Sequence, residues 1–408
     1  MKASPSPPLL LFFASRQIGG GEAYFINLGL AAIRAGRRCV VVDYRGGYVG
    51  ARIPGAELVE YADDAGADYL PECEAFIPVG AVAFLGDKLR LNPASRVLFV
   101  SLHHHHAIEL GNWAWLLRKI PPRTAGRLWR WLEPCRFRSV RGFFEEMTRR
   151  QGLVYCAPFQ RDFDEAYLGL TLPAEIVAIP VPRRSSREAG ELPVGRSLVW
   201  VSRLAEEKAA IIFGLVRELQ ASRCGLSLIV IGEGPALPAI KAQAARAGVE
   251  LETPGVISGS ELDDYLRRHA TLCVGVGTSA IEMAMAGLPT LVASVPGYCD
   301  GPFVWFHQTA PGDTIVTPGT VKQAFPLSEA LRQLQAPGGW VRAAREAQQV
   351  ATRRHDPEAS WERLSVALAA NRLTVAEAVA AAKMDDQPFR LIRNGKRWLR
   401  RWMARRPR

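Results

Sequence analysis

Cysteine is sparse in this sequence, and no two cysteines are closely spaced. The chain of 408 residues contains seven of them, Cys39, Cys73, Cys135, Cys156, Cys224, Cys273 and Cys299. No CxxC pair occurs, which argues against a disulfide framework and against a zinc site. We therefore expect free thiols, a reducing compartment and no metal.

Long apolar runs are missing as well. No stretch reaches the roughly 18 apolar residues that a membrane-spanning helix needs, although 48% of the residues are hydrophobic, as in an ordinary globular protein. The N-terminal MKASPSPPLLLFFAS is only weakly similar to a signal peptide, because three prolines precede a short apolar core. We expect a buried first strand over residues 9–14 and a cytoplasmic protein.

Acidic residues are absent from residues 387–408, which hold nine basic residues and supply most of the net charge of +11. As a helix, this tail would carry tryptophans on one face and arginines on the other, which is typical of a helix lying in a membrane interface. The predicted membrane or acceptor contacts are Arg393, Lys396, Arg397, Trp398, Arg400, Arg401 and Trp402. A solvated, disordered tail is the alternative. Nucleic-acid binding is disfavoured, because no RNA-binding fold or DNA-binding motif accompanies the charge.

A second basic and aromatic segment covers residues 113–150 and is predicted to be helical. It has ten basic residues, three acidic residues and four tryptophans, Trp113, Trp115, Trp129 and Trp131. Either the tryptophans pack in an ordinary core, or the segment offers a surface to a bilayer or to an anionic, lipid-linked molecule.

The order of apolar segments predicts two α/β domains. Residues 9–14, a run of three glycines, a helical pattern over 22–35 and an apolar strand over 37–43 form a βαβ unit, which implies a parallel sheet. Further strands of this sheet are expected at 82–85 and 97–102. A second series of strands and helices begins at residue 197, after a segment of linker composition.

The predicted fold class is therefore α/β, with two Rossmann-like domains facing each other across a cleft. The predicted parts are the first domain over 1–180 with the insertion 113–150, the linker 181–195, the second domain over 196–355, C-terminal helices over 356–386 and the tail 387–408. The first of the C-terminal helices is expected to pack back on the first domain. A ligand should bind between the domains, at the carboxyl ends of the strands.

Residues 277–291, GTSAIEMAMAGLPTL, are the most informative stretch. A Gly-Thr-Ser opening leads into a small, apolar helix in which Glu282 is the only charged residue, and a strand follows. Because a carboxylate in a buried helix needs a partner and a helix start favours an anion, this segment suits ligand hydroxyls beside a phosphate, as in a nucleotide. The alternative is a packed helix whose Glu282 makes a local contact.

Four motifs, in this order and spacing, resemble the C-terminal domain of the GT-B nucleotide-sugar glycosyltransferases, most closely the retaining family-four group. They are VSRLAEEK, LIVIGEGP, PGVISGSELDDYL and GTSAIEMAMAGLP, and IGGGEAYFINLGLAAIRAGRRCVVV is similar to the first βαβ unit of the same family. The resemblance covers residues 8–45 and 196–370 well. It implies transfer of a sugar from a nucleotide donor to an acceptor with retention, and no essential metal or cofactor.

The resemblance also implies roles for particular residues. Arg203 and Lys208 match the cations that bind the donor diphosphate, and Glu282 matches the glutamate that binds the ribose hydroxyls. Gly277, Thr278 and Ser279 would present amides to the phosphates, Gly20 and Gly21 would approach them from the first domain, and Val256 and Ile257 would lie at the nucleobase. His103, the first of four consecutive histidines after the strand 97–102, matches a histidine near the donor sugar.

The sequence departs from the family at one position. A first glutamate, eight residues before the ribose-binding one and near the transferred sugar, is Val274 here. The expected partners are a nucleotide-sugar donor, a lipid-linked or glycan acceptor and the anionic inner face of the cell membrane, as in assembly of a cell-surface glycan. A nucleotide-sugar epimerase on the same fold, or a binding protein without turnover, are the alternatives.

Overall fold

The computed structural model describes residues 6–16, 19–62, 67, 70–85, 88–182, 196–294, 303–317 and 320–382. The predicted linker lies mostly outside these ranges, and the tail 387–408 lies wholly outside them. Among the residues described, no helix is both long enough and apolar enough to cross a bilayer.

A seven-stranded sheet forms the centre of the first domain, and all its neighbouring strands are parallel. Its order is β3-β2-β1-β4-β5-β6-β7. The strands are β1 (Leu9–Phe12), β2 (Cys39–Tyr44), β3 (Glu57–Tyr61), β4 (Glu74–Pro78), β5 (Arg96–Ser101), β6 (Leu153–Tyr155) and β7 (Glu175–Ile176). The apolar N-terminal segment is thus a buried strand in the middle of the sheet, as predicted.

Six helices accompany this sheet in the described ranges. They are α1 (Gly20–Arg34), α2 (His106–Glu109), α3 (Ala114–Leu117), α4 (Pro122–Leu132), α5 (Pro134–Arg149) and α6 (Pro158–Leu168). The insertion 113–150 is helical, as its sequence indicates, and Trp129 of α4 is fully buried.

The strand predicted over 82–85 is wrong. Residues Val79–Phe84 form a 3-10 helix that follows directly on β4, and Pro78 is the last residue of that strand. Val79, Val82 and Leu85 are the buried residues that match the period of three of such a helix. An apolar run this short is too short for the spacing of its apolar residues to distinguish a helix from a strand.

The second domain has a six-stranded sheet in the order β10-β9-β8-β11-β12-β13, in which only the pairing of β12 with β13 is antiparallel. Its strands are β8 (Ser197–Val201), β9 (Ser227–Ile231), β10 (Leu251–Gly255), β11 (Ala270–Gly275), β12 (Thr290–Ala293) and β13 (Phe303–Trp305). Its helices are α7 (Glu206–Ser222), α8 (Leu237–Ala247), α9 (Gly259–His269), α10 (Thr278–Met285), α11 (Leu327–Gln335) and α12 (Gly339–Arg354).

The chain then returns to the first domain. Asp356 caps α13 (Pro357–Ala370) by accepting from the Ala359 amide at 3.1 Å, and α13 packs against α1. The Arg34 guanidinium lies 2.7 Å from the Glu358 carboxylate across that contact. A last helix, α14 (Val375–Ala381), lies beside α5 and β5. The return of the chain through α13 therefore connects the two domains on the side of α1.

Candidate functional site

The starts of two helices, one from each domain, meet in the cleft. Helix α1 begins at Gly20 after β1, and α10 begins at Thr278 after β11. A Cβ atom built on Gly20 would lie 2.8 Å from Thr278 Oγ1, which is closer than real Cβ contacts. Glycine therefore permits this approach of the two domains. Both helix starts carry the positive end of a helix dipole, so an anion between them would be stabilised from two sides.

Arg203 lies at the same place. It follows β8, the strand next to β11, and its side chain is exposed. A Cβ built on Gly19 would lie 3.5 Å from Arg203 Nη2 and 2.6 Å from the Glu22 carboxylate. The guanidinium of the second domain and a buried carboxylate of the first thus flank the glycine loop. Glu22 was not among the predicted site residues, although its position in the first turn of α1 follows from the glycine motif.

Two glycines of the IGEGP motif support the segment that carries Arg203. A Cβ on Gly232 would lie 1.9 Å from the Ser202 carbonyl oxygen, and one on Gly234 would lie 2.4 Å from the Leu204 carbonyl oxygen. Their φ angles of 135° and 154° are also ones that other residues rarely adopt. The Leu204 amide donates to the Glu233 carbonyl at 2.9 Å. The motif therefore fixes the backbone on either side of Arg203.

The start of α10 differs in one respect from the predicted arrangement of three amides for a phosphate. Gly277 adopts a φ of 65° and donates its amide to the Thr314 carbonyl at 3.0 Å, so this amide holds the helix start in place. Ser279 Oγ donates to the Val276 carbonyl at 3.0 Å. The amides of Thr278 and Ser279 belong to the first helical turn, where no intrahelical acceptor exists.

Glu282 lies four residues after Thr278 and therefore on the same face of α10. Its side chain is half-buried, whereas its neighbours Ile281 and Met283 are fully buried. Since Thr278 faces Gly20 across the cleft, the carboxylate is on the face of α10 that borders the cleft, about one helical turn deeper than the amides.

Three further predicted donor-site residues lie at the same edge of the second sheet. Lys208 is the third residue of α7 and is half-buried. Val256 and Ile257 directly follow β10, the edge strand, and Val256 is 59% exposed. Val256 follows a strand that is two places from β8 in the sheet, and two strand spacings amount to about 10 Å. Its contact with a nucleobase stays a prediction.

Val274, at the position of the missing family glutamate, is fully buried inside β11, where it pairs with Trp200 and Leu291. The strand passes into α10 after only Val276 and Gly277. The side chain at position 274 therefore belongs to the core of the sheet.

Gly21 has a different neighbour from Gly20. A Cβ built on it would lie 2.5 Å from the ring of Phe13, in its own domain. The structure therefore explains this glycine by packing of α1 on the end of β1. The predicted approach of its backbone to a diphosphate stays a prediction.

The histidine segment lies after β5, two strands from β1 and thus about 10 Å along the same sheet edge. His103 is half-exposed, and its Nδ1 accepts from the His105 amide at 3.3 Å, which leaves the proton of a neutral ring on Nε2. Burial, and to a smaller extent the neighbouring histidines, lower the pKa of His104 to about 2 and that of His105 and His106 to about 3. These three rings are neutral at pH 7.

A buried carboxyl group lies beneath the histidines and was not predicted. Asp164 of α6 is fully buried, and burial raises its pKa to about 8 despite hydrogen bonds that favour the carboxylate. Tyr155 donates to its Oδ2 at 3.1 Å, and Ser101 Oγ lies 3.5 Å away. Ser101 Oγ is also 3.4 Å from His106 Nδ1. No sequence pattern marks Asp164, because its partners come from two separate strands.

Comparison with known proteins supports the fold. No protein-family model matches the sequence, and no curated protein matches it. Among solved structures, HepE of Anabaena in complex with UDP and glucose is 14% identical, with a TM-score of 0.56 over 89% of this chain and 99% of that one. The lipopolysaccharide outer core galactosyltransferase WaaB is 12% identical, with a TM-score of 0.53 over 88% of this chain and 98% of that one.

A trehalose-6-phosphate synthase analysed for glycosyl transfer with retention is also similar. It is 12% identical, with a TM-score of 0.56 over 88% of this chain and 98% of that one. The chain thus has the two-domain GT-B fold, and this prediction from the sequence is confirmed. Assignment to the family-four group stays a prediction.

Proposed function

We propose that this protein is a GT-B glycosyltransferase that moves a sugar from a nucleotide-sugar donor to a membrane-associated acceptor. The observation that carries the proposal is the convergence of Gly20, Thr278 and Arg203 in the cleft. Two helix starts and a guanidinium form a site for a group of at least two negative charges. HepE, of the same fold, was solved with UDP and glucose.

These groups suit the chemistry of sugar transfer. When the bond between the anomeric carbon and the diphosphate oxygen breaks, negative charge develops on the leaving diphosphate. Arg203, Lys208 and the amides of Thr278 and Ser279 would stabilise that charge more strongly in the transition state than in the ground state. Glu282 would accept hydrogen bonds from the ribose hydroxyls and so orient the donor.

We propose retention of the anomeric configuration, as in the family that the sequence resembles. The acceptor oxygen then bonds to the anomeric carbon on the face that the diphosphate leaves, and the leaving diphosphate takes the proton of the acceptor hydroxyl. No side chain is required as a covalent nucleophile in this scheme. No metal or cofactor is included in the proposal.

The acceptor part of the proposal rests on the surface of α3 and α4. Trp115 and Trp131 are 56% and 77% exposed, and Arg123 and Arg127 are exposed on the same α4 face as Trp131. The opposite face of α4 packs on α6, where a Cβ on Gly126 would meet the Tyr167 carbonyl oxygen at 2.1 Å. An outward face of tryptophan and arginine suits anionic lipid.

Along the chain, this surface follows the histidine segment. A lipid-linked or polysaccharide acceptor could then reach the donor site from the inner face of the cell membrane, in the cytoplasm. The basic tail, with Arg393, Lys396, Arg397, Trp398, Arg400, Arg401 and Trp402, is outside the described residues, and its membrane contact stays a prediction.

Incubation of the full chain with labelled nucleotide sugars and a membrane lipid extract tests the proposal. Label in the lipid fraction that depends on the wild-type protein and is lost with Arg203→Ala supports it. Arg246→Ala on the exposed face of α8 is the matched control. An altered free sugar would instead indicate an epimerase, and nucleotide binding without any turnover would indicate a binding protein.

A further inference from the structure

One loop of the second domain, residues 309–317, contacts the first domain at the start of α6. A Cβ built on Gly312 would lie 3.0 Å from Pro158 Cδ and 3.6 Å from Ile176 Cγ2. Gly312 has a φ of 86°, and the Asp313 amide donates to the Ala310 carbonyl at 3.0 Å, which closes a tight turn. This turn directs Asp313 towards the first domain.

Helix α6 has no side-chain acceptor at its N-cap position, although Gln160 Oε1 accepts from the Ala157 amide at 3.2 Å. The residue at the N-cap position is Ala157, whose side chain has no acceptor, and Pro158 has no amide hydrogen. The first amide of the helix that can donate is that of Phe159, and it donates to Asp313 Oδ1 at 3.2 Å. Asp313 is only 5% exposed. The second domain therefore supplies the cap that the sequence of α6 lacks.

The same loop also contacts the second-domain elements that border the cleft, α10 and β12. The residue after Asp313 is Thr314, whose carbonyl accepts from the Gly277 amide at the start of α10. Val316 donates to the Ala293 carbonyl at 3.2 Å, which anchors the loop on the end of β12. Asp313 is therefore fixed relative to the helix start that faces Gly20.

On the other side, α6 holds the histidine segment. Gln160 Nε2 donates to the Leu102 carbonyl at 2.9 Å. Tyr167 Oη lies 3.0 Å from His105 Nδ1, and the Phe163 ring packs on the ring of His104 with centroids 5.0 Å apart. A shift of α6 would thus move the segment that contains His103.

We propose that Asp313 is a positioning residue that locks the first-domain histidine segment onto the donor-binding helix by capping α6 from the opposite domain. The inference rests on the proposed function, because it concerns the alignment of donor and acceptor sides for transfer. It adds a residue that the family motifs do not include, 154 positions away from its partner in the chain.

The test compares Asp313→Ala and Asp313→Asn with Asp264→Ala, an exposed aspartate of α9, as control. Asparagine keeps an oxygen that can accept from the Phe159 amide, whereas alanine removes it. We expect Asp313→Ala to lower kcat for sugar transfer by about tenfold, as loss of an N-cap suggests. The dissociation constant of the nucleotide should change less than about twofold, because its main contacts lie on the second domain.

Asp313→Asn should restore most of the lost kcat, and small-angle scattering should show a larger radius of gyration for Asp313→Ala than for the wild type. Unchanged kcat and radius of gyration in Asp313→Ala would overturn the proposal. So would an equal loss of nucleotide affinity and kcat, which would place Asp313 within the donor site.

Scattering also separates this proposal from the proposed function. If the wild type turns over no nucleotide sugar but Asp313→Ala has a larger radius of gyration, the proposed transferase function is wrong and the positioning role of Asp313 is supported. If the wild type transfers sugar and neither Asp313 variant differs from the control, only the positioning role of Asp313 is wrong.

Discussion

Gly20 of the first domain lies directly against Thr278 of the second, so that a Cβ atom at position 20 would lie 2.8 Å from Thr278 Oγ1. The contact joins the N-termini of α1 and α10, which would repel each other as partial positive charges without an anion between them. It thereby links a glycine motif near the N-terminus to the helix that carries Glu282.

Gly20→Ala should therefore weaken nucleotide binding. The added methyl group must push the helix starts apart, and overpacking of this kind costs about 1–3 kcal/mol, which corresponds to an increase in the dissociation constant of roughly 5-fold to 150-fold. Isothermal titration with the nucleotide measures it. Gly142→Ala is the control, since a Cβ there meets no atom within 4 Å. Equal affinities of the two variants would contradict the close approach.

Gly232→Ala should destabilise the second domain and displace Arg203. A Cβ at this position would lie 1.9 Å from the Ser202 carbonyl oxygen, and the φ of 135° is unfavourable for alanine. We expect a loss of at least about 3 kcal/mol in the free energy of unfolding. Gly225→Ala, with a φ of 70° and no atom near its Cβ, should lose only about 1 kcal/mol. Denaturant titration of both variants checks the difference, and similar losses would refute it.

The contribution of Asp313 to the free energy of unfolding should depend on pH. Burial is the main reason why the pKa of Asp313 is raised from 3.8 to about 6; Asp162 acts in the same direction, and the Phe159 amide, Arg354 and Arg161 oppose it. The folded protein therefore holds this proton more tightly than the unfolded chain. The stabilising effect of the bound proton is complete below about pH 4 and is lost as the pH rises through about 6, by at most about 3 kcal/mol.

Asp313→Asn cannot titrate at this position. The melting temperature of the wild type relative to Asp313→Asn should fall between about pH 4 and pH 6 and stay level above about pH 7. Differential scanning calorimetry across that range measures the difference. A constant difference would mean that the carboxyl group of Asp313 keeps its ordinary pKa.

The outward face of α4 should bind anionic vesicles. Arg123→Glu with Arg127→Glu should lower the partition coefficient by at least about tenfold, since each basic residue near the surface contributes about 1 kcal/mol. Lys241→Glu with Arg246→Glu makes the same charge change on exposed residues of α8. Sedimentation with phosphatidylglycerol vesicles compares the two. An equal decrease of the partition coefficient in both variants would show that vesicle binding depends on net charge alone. Deletion of 387–408 measures how much the tail contributes to vesicle binding.

The sequence predicts the parts of this molecule whose causes are local. The glycine turn at 19–21 and the Gly-Thr-Ser start of α10 depend on their own backbone conformation, and the apolar strands depend on their own residues. Their positions could therefore be predicted from the sequence. The sequence did not predict the edge strand β3, because most of its side chains are exposed and its residues show no alternation of apolar and polar positions; Leu58 is 44% exposed. The 3-10 helix after Pro78 was predicted to be a strand, because its apolar run is too short to show a helical period.

The parts that could not be predicted depend on distant partners. Asp313 caps a helix far away in the chain, and Asp164 is recognisable only once Tyr155 and Ser101 surround it. The resemblance to a family supplied the predicted roles of Arg203 and Lys208, but it gave no reason for Val274, which the structure places in the core of β11.

The affinity of Glu282→Ala for the nucleotide tests the central claim most directly. A nucleoside diphosphate that raises the melting temperature of the wild type identifies the donor base. The account predicts that Glu282→Ala, folded to the same extent by circular dichroism, loses this shift, whereas Glu261→Ala at the exposed start of α9 keeps it. An unchanged shift in Glu282→Ala would contradict the assignment of the donor site.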